Sequence, residues 1–248
     1  MREIIYGRQP VRETLRAGRR QVFRLVLAHG IKPTGIVGQI LSLAEIVGVP
    51  TQTINRRELD KLSGEANHQG LAVEVSGYPY LALKDSLDAA RQAQVPPFLL
   101  LLDHIQDPQN LGSLLRTAEA VGIHAVVIPG RRAAGVTPAA VRASAGAAEH
   151  VRVAQVSNLA QAMDHLRNEG IWLAGLEALP TAQLHTAADL SGSLGLVVGS
   201  EGRGLARLVR HKCDFLIRLP MQGQVESLNA AVAGAIALYE VVRQRTAG

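Results

Sequence analysis

Six short runs of nearly unbroken apolar residues constrain this chain more than any other feature: FLLLLD (98–103), HAVVI (124–128), VRVAQV (151–156), IWLAGL (171–176), LGLVVG (194–199) and FLIRLP (215–220). A strand with one face in water alternates apolar and polar residues, whereas a run that is apolar on both faces belongs to a strand covered on both sides, as in a parallel sheet flanked by helices. Between the runs lie amphipathic segments beginning near Asn110, Pro138, Asn158, Arg203 and Ser227. The alternation therefore predicts an α/β fold with a parallel sheet and helices on both faces. In such sheets ligands bind beyond the carboxyl ends of the strands. Three polar loops fall there, at 103–112, 199–204 and 219–229.

The front of the chain has a weaker, mixed pattern. A helical stretch at 10–17 ends on Gly18, and strand patterns occupy 22–28, 51–54 and 71–75. Helices are expected at 35–47 and after Asn55, which is placed as a cap. SGYPY and VPP bracket a short helical stretch, so the expected organisation is a small α/β domain at 1–77, a linker at 78–97 and the larger domain at 98–248.

Seven arginines against two glutamates within the first 24 residues account for the whole net charge of +5. Arg8, Arg12, Arg16, Arg19 and Arg20 form either a docking surface for a polyanion such as RNA or the solvated face of a helix, and both readings stand at this point. Eight aromatic residues in 248 are too few for a broad base-stacking platform. The single Cys213 excludes a disulfide scaffold and a zinc–cysteine cluster. The apolar stretch 227–239 is too short to span a bilayer, and the charged N-terminus lacks the apolar core of a secretory signal, so a cytoplasmic protein is expected. The eight histidines form no compact ligand pair, so no metal is expected.

Taken singly, each polar loop has a plain structural explanation beside a functional one. In the first, Asn110 is placed to cap the helix that carries Arg116. In the second, VVGSEGRGL, three glycines within six residues let the backbone approach a ligand with Glu201 at the tip, or Glu201 is merely a helix cap. Neither a dinucleotide fingerprint nor a phosphate-cradling P-loop is present. In the third, Ser227 or Asn229 opens a helix rich in alanine and glycine, a composition suited to close packing in the core or across a dimer interface. Ser144 lies in a helical context without a nucleophile elbow, and Cys213 reads as a half-buried residue at a helix end.

Together, the order and spacing of these loops resemble the three motifs of the SpoU (TrmH) class of SPOUT RNA ribose 2′-O-methyltransferases. The likeness rests on D-x-x-x-D-P-x-N-x-G-x-x-x-R-T-A at 103–118, V-G-S-E-G-x-G at 198–204 and L-P-M-x-G-x-V-x-S-L-N at 219–229. At the front, IIYGRQPVRETL and HQGLAVEV resemble the L30e-like substrate-binding domain that precedes the catalytic domain in large-subunit rRNA guanosine methyltransferases.

The resemblance implies S-adenosyl-L-methionine held in a C-terminal trefoil knot, an obligate homodimer with each site near the subunit interface, and methylation of a ribose, at a guanosine of 23S rRNA. Carried over motif by motif, Asn110, Arg116, Glu201, Ser227 and Asn229 match active-site positions, and Gly199, Leu219 and Leu228 match positions that hold the cofactor. Gln224 and Glu226 fall at variable places. The resemblance also turns the basic N-terminus towards the RNA-docking reading. It points to Arg116 in proton removal, but a guanidinium stays protonated in water, so phosphate clamping and alkoxide stabilisation suit Arg116 better. The competing expectations are a tRNA methyltransferase of the same class, a non-catalytic RNA-binding protein, and a nicotinamide-dependent dehydrogenase, which would lack its glycine fingerprint here.

Overall fold

A computed structural model describes residues 2–92, 94–225 and 227–247; Ala93 of the expected linker and Glu226 of the third loop lie outside the described residues. In chain order the elements begin with β1 (Arg2–Tyr6), α1 (Arg8–Ala17), β2 (Val22–Ala28), α2 (Ile36–Ile46), β3 (Thr51–Ile54), α3 (Arg56–Leu62) and β4 (Leu71–Ser76). Next come α4 (Leu83–Gln92), β5 (Phe98–Asp103), α5 (Pro108–Ala120), β6 (Ala125–Pro129), α6 (Pro138–Ala143), β7 (Val153–Val156) and α7 (Leu159–Asn168). The chain ends with β8 (Trp172–Leu176), β9 (Gln183–Leu184), β10 (Leu194–Gly199), α8 (Arg207–Lys212), β11 (Phe215–Arg218) and α9 (Ala230–Ala247).

These elements pack as two units. The first comprises residues up to Pro79 together with 136–150, so α6 belongs to it although it lies far along the chain. Its four-stranded sheet runs β1-β4-β2-β3, with β4 antiparallel to both neighbours and β2 parallel to β3. β1, which the periodicity did not single out, is one of the two edge strands. α3 starts on the Asn55 cap that the sequence predicts, and Glu58 completes a capping box: the Asn55 side chain accepts from Glu58 N while the Glu58 side chain accepts from Asn55 N. Val26, Ala28, Leu59 and Ala72 form a core cluster against Ile4, Tyr6, Ile54 and Leu62.

The second unit comprises 80–135 and 151–248. Its sheet has seven strands in the order β7-β6-β5-β10-β8-β11-β9, and every pairing is parallel. All six apolar runs appear as strands, and the short edge strand β9 was not foreseen. Alternate residues of each strand face opposite helical layers. Leu99, Leu101 and Val197 cluster with Met163 and Leu166 of α7 and Val209 of α8. On α9 the small residues serve the core. A Cβ added to Gly234 would lie 2.6 Å from Leu114 Cδ2 of α5 and 3.5 Å from Val198 Cγ2 of β10, so glycine lets α9 lie directly on both.

What positions the functional loops is the neighbourhood of β5 and β10. The two strands lie side by side with Gly199 opposite Asp103, although 96 residues separate them in sequence. The loops that follow β5 and β10 therefore emerge together at the carboxyl edge. Among the described residues, no helix is long and apolar enough to cross a membrane.

Candidate active site

At the β5 edge, Asp107 and not Asn110 caps α5: its carboxylate accepts from Gln109 N at 3.0 Å, and Pro108 occupies the first turn, where its missing N–H costs nothing. This corrects the sequence-based expectation for Asn110 and explains its role. Relieved of capping and only 9% exposed, Asn110 turns its amide sideways. Its Nδ2 donates to Glu201 Oε1 at 3.0 Å, and its Oδ1 accepts from Asn229 Nδ2 at 2.9 Å. Asn229 Nδ2 also donates to the same Glu201 oxygen. The Asn229 Oδ1 accepts from the backbone N–H groups of Ala231 and Val232 at 3.0 and 3.1 Å, so Asn229 caps α9 as the sequence predicts while its other end closes the triangle.

The second loop is strapped by groups to which sequence reasoning assigned no role. Asp103, 1% exposed at the end of β5, accepts from Ala206 N at 2.6 Å, and Glu177 Oε2 accepts from Leu205 N at 3.0 Å. Gly204 N donates to Ser200 O at 3.0 Å, folding the tip back on itself. A Cβ at Gly199 would sit 2.2 Å from the carbonyl carbon of Gly204, so only glycine permits this closure. The available signals for Asp103 were its place at the head of the motif at 103–118 and at the end of a wholly apolar strand. Glu177 carried none.

Two hollows flank the folded tip. One, of about 340 Å³, is lined by Gly199, Glu201, Leu219, Met221, Ser227 and Leu228, with Glu177 also on its wall. The other, of about 640 Å³, is lined by Asn110, His104, Gln106, Arg132, Glu201 and Arg203, among others. Ser200, Glu201, Arg203 and Gly204 border both, so the tip is a partition between them. The first hollow combines apolar walls from Leu219, Leu228 and Met221 with exposed backbone and carboxylates, a lining suited to a nucleoside-sized, cationic ligand. The structure thus brings seven of the eight expected catalytic and cofactor positions to the two hollows or into contact with Glu201 between them. Arg116 is the exception. It is exposed on α5, lines neither hollow, and its side chain has no hydrogen-bond partner among the described residues. Six residues of helix carry it about 9 Å beyond Asn110 and about 240° around the axis.

The five N-terminal arginines do not form one free cationic face. The Arg20 side chain is fully buried between Glu3 (2.6 Å) and Glu149 (2.8 Å), so it is an interior ion-pair residue and not a docking residue as expected from sequence. Burial pushes the Glu149 carboxyl above its ordinary range despite these guanidinium neighbours. Arg19 donates to Glu149 O and Tyr78 Oη. Arg8 donates through Nε to Gln69 O. Arg12 and Arg16 both pair with Glu13, with Arg16 the more exposed.

Ser144 is fully buried, donating to Val141 O and accepting from Ala148 N. Burial, with Asp214, Asp103 and Glu177 nearby, pushes the Cys213 thiol up to about 12, which makes it unsuited to nucleophilic work. Among the described residues, no group of three or more His, Cys, Asp or Glu side chains could hold a metal ion.

Residues 97–239 match the SpoU rRNA methylase family, and residues 4–81 match a family of RNA 2′-O ribose methyltransferase substrate-binding domains. The chain is 43% identical over 243 residues to YacO of Bacillus subtilis (strain 168), whose name places it among TrmH family tRNA/rRNA methyltransferases; the match covers 98% of this chain and 96% of that one. A similarly named protein of Staphylococcus aureus (strain MSSA476) is 42% identical with the same coverage. Among solved structures, the SpoU methyltransferase AviRb from Streptomyces viridochromogenes, in complex with AdoMet, superposes with a TM-score of 0.83 at 25% identity, covering 100% of this chain and 92% of that one.

Proposed function

Because the chain belongs to the SpoU rRNA methylase family, we propose that it transfers a methyl group from S-adenosylmethionine to a ribose 2′-hydroxyl of RNA, at a guanosine of 23S rRNA. The observation that carries this reading is Glu201, which borders both hollows and is held in place by the side-chain amides of Asn110 and Asn229. A transfer reaction needs a donor on one side, an acceptor on the other and a fixed passage between them.

The smaller hollow fits the cofactor. Its apolar walls and the tight closure at Gly199 suit a nucleoside, and the Glu201 carboxylate, held only by neutral amides, favours positive charge, whereas Glu177 is paired with Arg210. When bound, the cofactor supplies an electrophilic methyl on a positively charged sulfur, open to in-line displacement by oxygen. The protein contributes alignment. Asn110 and Asn229 hold the Glu201 carboxylate rigid at the passage, and Ser227 and Leu228 border the donor side. Alignment of this kind is worth up to about 7–11 kcal/mol relative to a bimolecular encounter.

Arg116, turned away from both hollows of its own subunit, fits a role in a homodimer, where it would meet substrate phosphate or the developing alkoxide. Support for the homodimer comes from α9: Val232, Ile236 and Tyr239 form an apolar stripe that is 48%, 41% and 55% exposed, on a helix packed against the one that carries Arg116. The C-terminal trefoil knot belongs to the same reading, supported by the convergence of segments 199–204 and 219–229 on one hollow. The substrate-binding match at 4–81 supports RNA docking by the first unit, through Arg8, Arg12 and Arg16, and this N-terminal domain is the ground for proposing rRNA over tRNA.

The test is incubation of the purified protein with methyl-labelled S-adenosylmethionine and unmodified transcripts of 23S rRNA or tRNA, followed by mapping of 2′-O-methyl positions. Label at one guanosine of 23S rRNA is expected. Label in tRNA alone would replace the substrate, and cofactor uptake without transfer to either RNA would reduce the protein to a binding module.

A further inference from the structure

The larger hollow is lined by two guanidiniums that no carboxylate pairs among the described residues. Three carboxylates line it, and each is already engaged: Asp103 by Ala206 N and by His104 Nδ1 at 2.5 Å, Asp107 by Gln109 N, and Glu201 by the amides of Asn110 and Asn229. Arg132 and Arg203, by contrast, are exposed, and neither has a carboxylate partner among the described residues. The carboxylates keep their charge but are held in hydrogen bonds of their own, which leaves the two unpaired guanidiniums as the groups of this hollow that can take an anion.

The backbone at Arg132 points the same way. Arg132 sits at φ +56°, a left-handed conformation that glycine adopts freely and that costs an arginine about 1–2 kcal/mol. Two contacts flank it. Gln106 Nε2 donates to Arg132 O at 3.5 Å, and Ala134 N donates to Ile105 O at 2.7 Å, so the loop after β6 is stitched to the loop after β5. A strained residue held this way at the rim of a reaction site is a sign that its side chain is wanted there.

Resting on the RNA ribose methyltransferase reading above, we propose that Arg132 and Arg203 are the phosphate clamp of the acceptor hollow: they grip the phosphodiester beside the ribose to be methylated. The ligand class follows from chemistry. Each RNA ribose is flanked by phosphodiesters, a guanidinium fork matches phosphate oxygens in a bidentate way, and the hollow of about 640 Å³ accepts a nucleotide. Held at its phosphate, the ribose has its 2′-oxygen directed at the partition of Asn110, Glu201 and Asn229, across which the methyl arrives. Arg132 and Arg203 are positioning residues; they take no proton.

The experiment compares the parent protein with Arg132→Ala, Arg132→Lys, Arg132→Gly and Arg203→Ala, using transcribed 23S rRNA and tRNA. It measures RNA binding against salt concentration, cofactor binding by calorimetry, and single-turnover methyl transfer. Arg132→Ala should weaken RNA binding about 10-fold or more and lower the salt slope by about one, with cofactor affinity unchanged. Arg132→Lys should restore the slope but not the transfer rate, because a point charge does not reproduce the fork. Arg132→Gly relieves the backbone and should show the same RNA defect with an unchanged or higher melting temperature, which separates clamping from folding. If the parent methylates RNA while Arg132→Ala binds it with parental affinity and slope, the clamp is overturned alone. A parent that takes up no cofactor overturns the underlying reading, and the clamp with it.

Discussion

The side-chain amide of Asn229 donates to the side-chain carbonyl of Asn110 at 2.9 Å, joining two turns that lie 119 residues apart in the chain. Both reach for the same Glu201 oxygen. One polar triangle thereby locks the loops after β5 and β10 and the start of α9 into a single arrangement.

Asn229 does two jobs with opposite ends of its side chain, and substitution can separate them. Asn229→Asp still accepts from the N–H groups of Ala231 and Val232 but donates nothing and sets a second carboxylate against Glu201. Methyl transfer should fall by about 10²-fold with a folded protein. Asn229→Ala loses the cap as well and should also lose about 1 kcal/mol of stability. Label incorporation and urea unfolding of the two variants check this; equal transfer rates in parent and Asn229→Asp would remove the triangle from the mechanism.

Gly199 allows the second loop to close, because a Cβ there would lie 2.2 Å from the Gly204 carbonyl carbon and 2.5 Å from Leu205 N. Gly199→Ala should cost about 1–3 kcal/mol and abolish cofactor uptake. Gly202 has φ +73° and open space around its missing side chain, so Gly202→Ala should cost only the backbone strain, about 1–2 kcal/mol, and keep uptake. Calorimetry with S-adenosylmethionine distinguishes the pair.

Arg20 is an interior residue, and its loss should register in folding. Arg20→Ala leaves the buried Glu149 carboxylate without its principal cation and should destabilise the protein by about 3–5 kcal/mol. Arg16→Glu alters an exposed side chain and should leave stability nearly unchanged while weakening RNA binding. Thermal denaturation and filter binding measured on both variants would expose a reversal of this pattern.

The Glu240 carboxyl, hydrogen-bonded first of all by Arg243 and then by Gln244, is held down to about 2 against an ordinary 4.5. A folded-state value below the unfolded one means the carboxylate stabilises the fold above pH 4.5 and loses that contribution as pH falls towards 2. Urea midpoints followed from neutral pH to acid should therefore fall more steeply for the parent than for Glu240→Gln through that window. Parallel curves would contradict the pairing on α9.

The parallel sheet was legible because residues 98–103 and 194–199 are apolar on both faces, a pattern that reports burial directly. Local chemistry was legible where a single turn contains both partners: Asn55 with Glu58, or Asn229 with Ala231 and Val232. It misled at Asn110, where two residues in the same stretch could cap α5 and the nearby Asp107 does so. The spacing of Arg8, Arg12, Arg16 and Arg19 followed a helix, but helical spacing does not say which cations already have partners. Arg132 passed unnoticed because its significance is a backbone angle and a missing counter-ion, neither of which is written in residue order.

From the chain alone came the α/β class, the three loops and the residue types that perform the chemistry, because periodicity and turn composition are governed by forces between near neighbours. Folding in three dimensions decided that Gly199 lies opposite Asp103, that Asn110 and Asn229 meet over Glu201, and that Arg20 is enclosed by a glutamate 129 residues away. Those pairings depend on which strands and helices pack side by side. Local propensity is blind to that choice, since the same apolar run can be buried equally well beside any of several neighbours.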